Sequence, residues 1–437
     1  MNQAGWPAAA AWTAGITTLT ACWWVFEPIP IPVTSLIPLA MFPLVGVLDS
    51  KAVGQAYGHN LILLLLGGFI LSSAMERSGA HRRIALSMVN LMGGSSGRRL
   101  VMGFMATSAL LSMWISNSAT TLMLLPIVLA VLEKTDNPRL TTALLLGVAY
   151  AASIGGVGTP VGTPPNLIFM ESYRQTTGIE VTFLQWMAWT LPVVVVMVPL
   201  AGLWLTRDLR DAKKIELPEV GQWRSEELRT LAVFAATALL WITRAEPWGG
   251  WRAWLGLSEA NDASVALLAV VAMFIIPNGH GQKLLDWPTA VRIPWGVLLL
   301  FSSGIVIAEA FAESGLSEAL GQRLASWGDL PLLALIGVTC LVITFLTEVT
   351  SNTATANLLL PILAAAAAGI GVEPRQLMVP ATISASFAFM LPVATAPNAV
   401  VFSSDKLTVH RMAREGFALN LLGAVVVTAI CYATLGE

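Results

Sequence analysis

Long apolar runs separated by short charged loops pattern the chain from end to end. Ten of these runs, near residues 8–25, 31–48, 60–76, 140–171, 183–205, 229–243, 263–277, 293–312, 376–404 and 416–435, predict membrane-crossing helices. A helix rising 1.5 Å per residue needs about 20 apolar residues to span roughly 30 Å of hydrocarbon. The period-2 alternation of a transmembrane barrel is absent, so the spans are read as helices. Two further apolar segments, 100–133 and 330–369, are broken in the middle by Ser116-Asn117-Ser118 and Ser351-Asn352-Thr353. Each is long enough to enter the membrane, turn and leave on the same side, and predicts a re-entrant hairpin. Two of the crossings are interrupted as well, by "GGVGTPVGTPPN" at 155–166 and "LPVATAPN" at 391–398.

Composition agrees: 56% of the residues are hydrophobic and only 11% charged, against roughly a quarter charged in soluble domains. The pattern is that of an all-α polytopic membrane protein surrounded by lipid. A net charge of -2 gives no case for nucleic acid. Cys22, Cys340 and Cys431 stand in apolar segments without paired spacing, which predicts buried thiols and neither a disulfide frame nor a zinc site. The N-terminus lacks a basic leader region, so a first membrane helix is expected there and no cleaved signal.

Positive charge assigns the sides of the membrane, because short cytoplasmic loops are enriched in Lys and Arg. The segment 206–229 holds Arg207, Arg210, Lys213, Lys214, Arg224 and Arg229 and is placed inside as a cytoplasmic linker over 206–228. With both broken segments treated as hairpins, Arg77, Arg82, Arg83, Arg98, Arg99, Lys134, Arg139, Lys283, Arg292, Lys406, Arg411 and Arg414 join them. Only Lys51, Arg174, Arg244, Arg252, Arg323 and Arg375 of the 24 basic residues then fall outside, with both chain ends.

The chain also repeats itself. Ser78-Gly79 matches Ser314-Gly315 at a spacing of 236, Ser116-Asn117 matches Ser351-Asn352 at 235, and "TPPN" at 163–166 matches "TAPN" at 395–398 at 232. Repeat one is read over 1–205 and repeat two over 229–437, each with five crossings, one hairpin and one broken helix. An odd number of crossings per repeat inserts the second upside down. Such inverted-topology repeats point to secondary transporters, whose sites lie where the repeats meet.

The four polar breaks share a chemistry. Pro160, Pro164 and Pro165 supply no backbone N–H and the glycines weaken the helix, so carbonyls are freed there. Free carbonyls with Ser and Asn oxygens suit a small hard cation, whereas N–H groups and helix N-termini suit an anion. Ser112 and Thr347 stand one helical turn before Ser116 and Ser351, where their hydroxyls can complete two equivalent cation shells.

On these residues the sequence resembles the divalent anion/sodium symporter family of di- and tricarboxylate and sulfate carriers, over essentially the whole chain. The resemblance implies a bacterial inner-membrane homodimer working by an elevator motion. It also implies that Ser116, Asn117, Ser118, Ser351, Asn352 and Thr353 touch the substrate, with Thr163, Pro164, Thr395 and Pro397 in the same pocket. One sodium ion would be held by Ser112, Ser116, Asn117 and Gly162, and a second by Thr347, Ser351, Asn352 and Ala394. Ser118 departs from the usual Thr of the signature, and the further N-terminal helix common in the family is not seen.

The expected activity is sodium-coupled symport of C4-dicarboxylates such as succinate, malate or fumarate. A proton-coupled carrier, an exchanger and a sulfate or arsenite permease remain rivals, and a polytopic enzyme is disfavoured because no catalytic constellation occurs in the apolar runs. Glu348, beside the second signature, is read first as a brace, since its repeat mate Met113 is apolar; Glu309 is read as interfacial or at an oligomer contact. Trp241, Trp248, Trp251 and Trp254 are expected in an interface belt, His59, His81, His280 and His410 on the surface, and 81–94 as a helix along the inner membrane face.

The charge count generates a test. A single cysteine at the C-terminus of an otherwise cysteine-free chain is expected to react with an impermeant maleimide from the outer side; labelling from the cytoplasm alone would reverse the hairpin and inverted-repeat assignments.

Overall fold

The computed structural model describes residues 8–92, 96–133, 137–209, 221–245, 249–319 and 330–436. The described chain is helical throughout. Its principal helices are α1 (Ala8–Phe26), α2 (Leu36–Leu44), α3 (Asn60–Ser78), α4 (Ala80–Met92), α5 (Gly97–Ser112), α6 (Asn117–Leu132), α7 (Pro138–Gly156), α8 (Pro164–Thr177) and α9 (Phe183–Leu205). They continue as α10 (Ser225–Ile242), α11 (Asp262–Ile275), α12 (Trp295–Glu313), α13 (Leu332–Leu346), α14 (Asn352–Ile370), α15 (Arg375–Ala385), α16 (Ala396–Phe402) and α17 (Val409–Leu435). Shorter helices, among them Ile31–Thr34 and Ser50–Tyr57, link them.

Helix ends follow local chemistry. Thr182 and Gln185 form a reciprocal capping box at the start of α9, which satisfies two of the N–H groups that a helix start leaves open. Asn137 accepts from Arg139 N and Leu140 N ahead of Pro138, a residue suited to the first helical position. Gly178, at φ 74°, ends α8 in the left-handed region that few other residues tolerate.

Among the described residues, six helical stretches are long and apolar enough to cross a membrane: Ser50–Ser78, Pro138–Gly156, Phe183–Leu205, Trp295–Glu313, Asn352–Ile370 and Val409–Leu435. Five coincide with expected crossings; the sixth, Asn352–Ile370, is the second arm of an expected hairpin. The others fall short for visible reasons. Helix α1 is diluted by four threonines and three tryptophans, and α10 carries Glu226, Glu227 and Arg229 in its first turns. The runs 140–171 and 376–404 are each split in two, into α7 with α8 and α15 with α16.

The helices pack in two groups. In one, α3 packs on α10 and α11, and α12 on α2 and α1. In the other, α7 packs on α5, α6 and α9, α13 on α15 and α17, and α9 on α17. Helix α8 packs on α14, and α16 on α6, so the short half of each split helix lies on the hairpin arm of the other repeat. The centre is α7, whose residues from Ala143 to Gly156 are all buried.

Several expectations are corrected. Trp241 is buried rather than in a belt: its ring stacks on Phe183 at 5.3 Å and its Nε1 donates to Asp262 O at 2.9 Å. Trp254 is exposed, and Trp248 lies outside the described residues. Cys22 is exposed on α1, where the absence of charge had suggested a buried thiol. His59 and His81 are partly buried, because each caps or bonds the end of a neighbouring helix: His59 accepts from Leu61 N and His81 contacts Met75 O. Helix α4 does form from Ala80, although Gly93 and Gly94 lie outside the described residues, as do Lys134, Arg210, Lys213, Lys214 and Arg323.

Candidate functional site

Each broken segment turns in a few residues. Helix α5 ends at Ser112 and α6 begins at Asn117 with Ser116 as its cap, Ser116 Oγ accepting from Ala119 N at 3.3 Å. Helix α13 ends at Leu346 and α14 begins at Asn352, with Ser351 at the N-cap position but without a side-chain cap bond. A helix C-terminus and a helix N-terminus therefore meet at each tip, bringing together the negative and positive ends of two helix dipoles. Across each turn a hydroxyl donates to the asparagine. Ser112 Oγ lies 2.6 Å from Asn117 Oδ1, and Thr347 Oγ1 lies 2.8 Å from Asn352 Oδ1. Both pairs obey the 235-residue spacing. Each sets two oxygens close enough to share one cation.

The split helices are matched in the same way. Asn166 Nδ2 donates to Gly156 O at 3.0 Å and to Thr159 O at 2.7 Å, while Asn398 Nδ2 donates to Ala388 O and Leu391 O, both at 3.0 Å. Gly162 N donates to Thr159 O at 3.3 Å, and Ala394 N to Leu391 O at 3.2 Å. All of these partners lie 232 residues apart. Asn166 and Asn398 are fully buried, and each replaces helix bonds that the break has lost.

The first break also explains its glycines. A Cβ on Gly162 would lie 2.4 Å from Gly156 O and 3.0 Å from Ser112 O, and one on Gly156 would lie 2.4 Å from Asn117 Oδ1. Only glycine permits this approach. The result is a cluster of oxygen atoms, Ser112 O, Gly156 O and Asn117 Oδ1, of the hard-ligand type that small cations take.

The breaks face one cavity of about 980 Å³. Ser116, Asn117, Ser118, Gly162, Thr163 and Pro164 line it from one repeat, and Ser351, Asn352, Thr353, Ala394, Thr395 and Pro397 from the other. Ser112 and Thr347 do not reach the wall; both are fully buried behind it, bonded to the asparagines that do. Glu27, Glu76, His81 and the exposed Arg292 lie on the same cavity. Arg244 is buried, but it lines a separate recess and is neutralised by Asp262 at 2.7 Å and Glu180 at 2.9 Å.

Glu348 braces the second break. Its Oε1 accepts from Met390 N at 2.9 Å and from Asn420 Nδ2 at 2.6 Å, and its Oε2 from Leu391 N at 3.0 Å. Asn420 Oδ1 accepts in turn from Phe389 N at 3.2 Å, and Tyr150 of α7 donates to Phe389 O at 2.6 Å. In repeat one the Met113 side chain lies against Gly158, the mate of Met390. The sequence left Asn166, Asn398, Asn420 and Tyr150 without roles. A signal existed for three of them: the asparagines of the matched motifs, and the one carboxamide in the apolar run of α17.

The family described as "Citrate transporter" matches residues 21–376. The sodium-dependent dicarboxylate transporter SdcS of Staphylococcus saprophyticus is 39% identical over 442 residues, covering 95% of this chain and 84% of the relative. Its Staphylococcus aureus counterpart is 39% identical over 451 residues, covering 98% and 86%. Two solved structures share the fold at low identity: the Alcanivorax borkumensis YdaH transporter, with a TM-score of 0.61 at 16% identity over 98% of both chains, and Neisseria gonorrhoeae MtrF, with 0.64 at 14% over 98% and 95%.

The brace yields a prediction. Glu348→Leu leaves three donors without their acceptor, and an unsatisfied buried polar group costs about 1–3 kcal/mol each. The apparent melting temperature in detergent is expected to fall well below that of Met113→Leu, a swap that keeps volume and costs under about 1.5 kcal/mol. Equal melting temperatures would mean that the brace carries no weight.

Proposed function

The chain belongs to the citrate transporter family, membrane transport proteins rather than enzymes, and from that premise we propose that it is a sodium-coupled carrier importing C4-dicarboxylates such as succinate, malate or fumarate across the bacterial inner membrane. One observation carries the reading. Two hairpin tips 235 residues apart present Ser116-Asn117-Ser118 and Ser351-Asn352-Thr353 to one cavity, each asparagine bonded to a hydroxyl of the preceding turn. Each tip offers its helix N-terminus and side-chain N–H to one carboxylate, and its clustered oxygens to one cation. Sodium fits the oxygen-only donor set at Ser112, Ser116, Asn117 and Gly162, and at Thr347, Ser351, Asn352 and Ala394. Two cations beside two carboxylates leave the loaded site close to neutral, which lowers the cost of carrying it through the membrane. The names of the staphylococcal relatives, sodium-dependent dicarboxylate transporters, agree with this assignment.

The proton-coupled rival would need a titratable group at a tip. Glu348 is the carboxylate nearest a tip in sequence, but both its oxygens are engaged by N–H donors and it is buried off the cavity wall. A tricarboxylate substrate is the second reading, supported by the family's description and by a cavity far larger than a C4 acid.

In this proposal the repeats are inverted, segments 100–133 and 330–369 are re-entrant, and about ten crossings complete the fold. The helix group bearing the tips moves as an elevator against the group formed by α1–α3 and α10–α12, within a homodimer. The cavity shares Arg292, Glu76 and His81 with the side assigned as cytoplasmic, so the conformation is open inward.

Asn117→Ala and Asn352→Ala each remove one cation ligand and one carboxylate contact, and both are expected to lower uptake at low sodium at least tenfold. Raising sodium is expected to restore each in part, because mass action refills a weakened ion site. Loss of uptake that no sodium concentration relieves would detach the asparagines from ion binding. Ser118→Thr adds a methyl at one tip and is expected to change the ranking of succinate, glutarate and citrate as competitors by about 1–3 kcal/mol. An unchanged ranking would remove position 118 from the substrate surface.

A further inference from the structure

Whatever joins two carboxylates must also lie somewhere in the cavity, and two wall residues stand out. Val393 is 83% exposed and Val349 63% exposed, the most exposed large apolar side chains on the cavity wall. Val349 stands two residues before Ser351, and Val393 directly before Ala394 and Thr395. Bare β-branched side chains thus sit beside the polar groups of the second tip and the second break.

Their repeat mates line the same cavity but are half-buried. Trp114, the mate of Val349, is half-buried, stacked on Phe183 at 6.1 Å and edge-on to Phe234 at 6.2 Å. Val161, the mate of Val393, is half-buried against α3, where a Cβ on Gly68 would touch its Cγ1 at 3.9 Å. The two repeats therefore place apolar residues at four equivalent positions on one cavity wall, and protein packs over much of those in repeat one while leaving those of repeat two largely bare. Leaving apolar surface in water is unfavourable, so the bare pair awaits a partner. The site described above supplies one of fitting chemistry, the hydrocarbon spacer of a molecule whose two ends are anionic.

We propose that Val349 and Val393 are specificity-determining residues that pack on the carbon backbone of the dicarboxylate and favour an unsubstituted spacer over a hydroxylated one. This rests on the reading of the cavity as a dicarboxylate site. A hydroxyl on the spacer would lose its water against two isopropyl groups that return no hydrogen bond. The preference is bounded, because an apolar wall rejects an added hydroxyl by no more than about 100-fold.

Val393→Thr and Val349→Thr keep the shape and supply the missing hydrogen-bonding group. In proteoliposomes with a sodium gradient, the ratio of kcat/KM for malate over succinate is expected to rise roughly tenfold in Val393→Thr, and in the same direction in Val349→Thr. The same ratio, read from the concentrations of succinate and malate that stabilise purified protein against heat, covers a variant that binds without transporting. A proportional change in both substrates, as expected if a helix of the moving interface covers the valines instead, overturns the proposal, and so does an unchanged ratio in both variants. Wild-type protein that neither transports nor binds either acid defeats the dicarboxylate reading itself and the proposal with it.

Discussion

A peptide group without a partner costs several kcal/mol in hydrocarbon, and that constraint organises this protein. A chain that is 56% hydrophobic stays helical nearly everywhere, because the helix satisfies its own backbone. Among the described residues its apolar runs break at four matched places, and at the two split helices side chains take over the bonds. Asn166 and Asn398 each hold two carbonyls, and Glu348 with Asn420 holds three consecutive N–H groups at Phe389, Met390 and Leu391. These residues let irregular backbone persist beside a cavity without unravelling the helices around it.

What the breaks gain is polarity without buried positive side chains. Helix ends at the tips bring N–H groups and carbonyls to one wall, so one surface can meet both an anion and cations. The absence of a side chain at Gly156 and Gly162 lets Asn117 Oδ1 approach the one and Gly156 O and Ser112 O the other. The reciprocal packing of α8 on α14 and α16 on α6 then couples the repeats, since each split helix rests on the other repeat's hairpin arm.

Much of this was legible in the sequence because repetition makes weak signals specific. Ser-Asn-Ser alone says little, but its mate at 235 residues, with the prolines 232 apart, located all four breaks. Twelve of the predicted residues reach one cavity wall, and Ser112 and Thr347 lie directly behind it. Boundaries failed where apolar composition conceals a change of backbone: 140–171 reads as one run although 157–163 is not α-helical. Partners far along the chain were invisible, as with Glu348 and Asn420, 72 residues apart, or Tyr150 and Phe389, 239 apart. Trp241 misled for a related reason, since an amphipathic ring suits a membrane interface and a buried stack on Phe183 equally well.

In the proposed mechanism the paired tips bind a dicarboxylate only together with sodium. Uptake of labelled succinate into proteoliposomes containing the purified protein tests it most directly. An inward sodium gradient is expected to drive accumulation, with a Hill coefficient for sodium above one, and replacement of sodium by choline is expected to abolish it even under an imposed pH gradient. Full uptake in choline driven by the pH gradient alone would contradict the account.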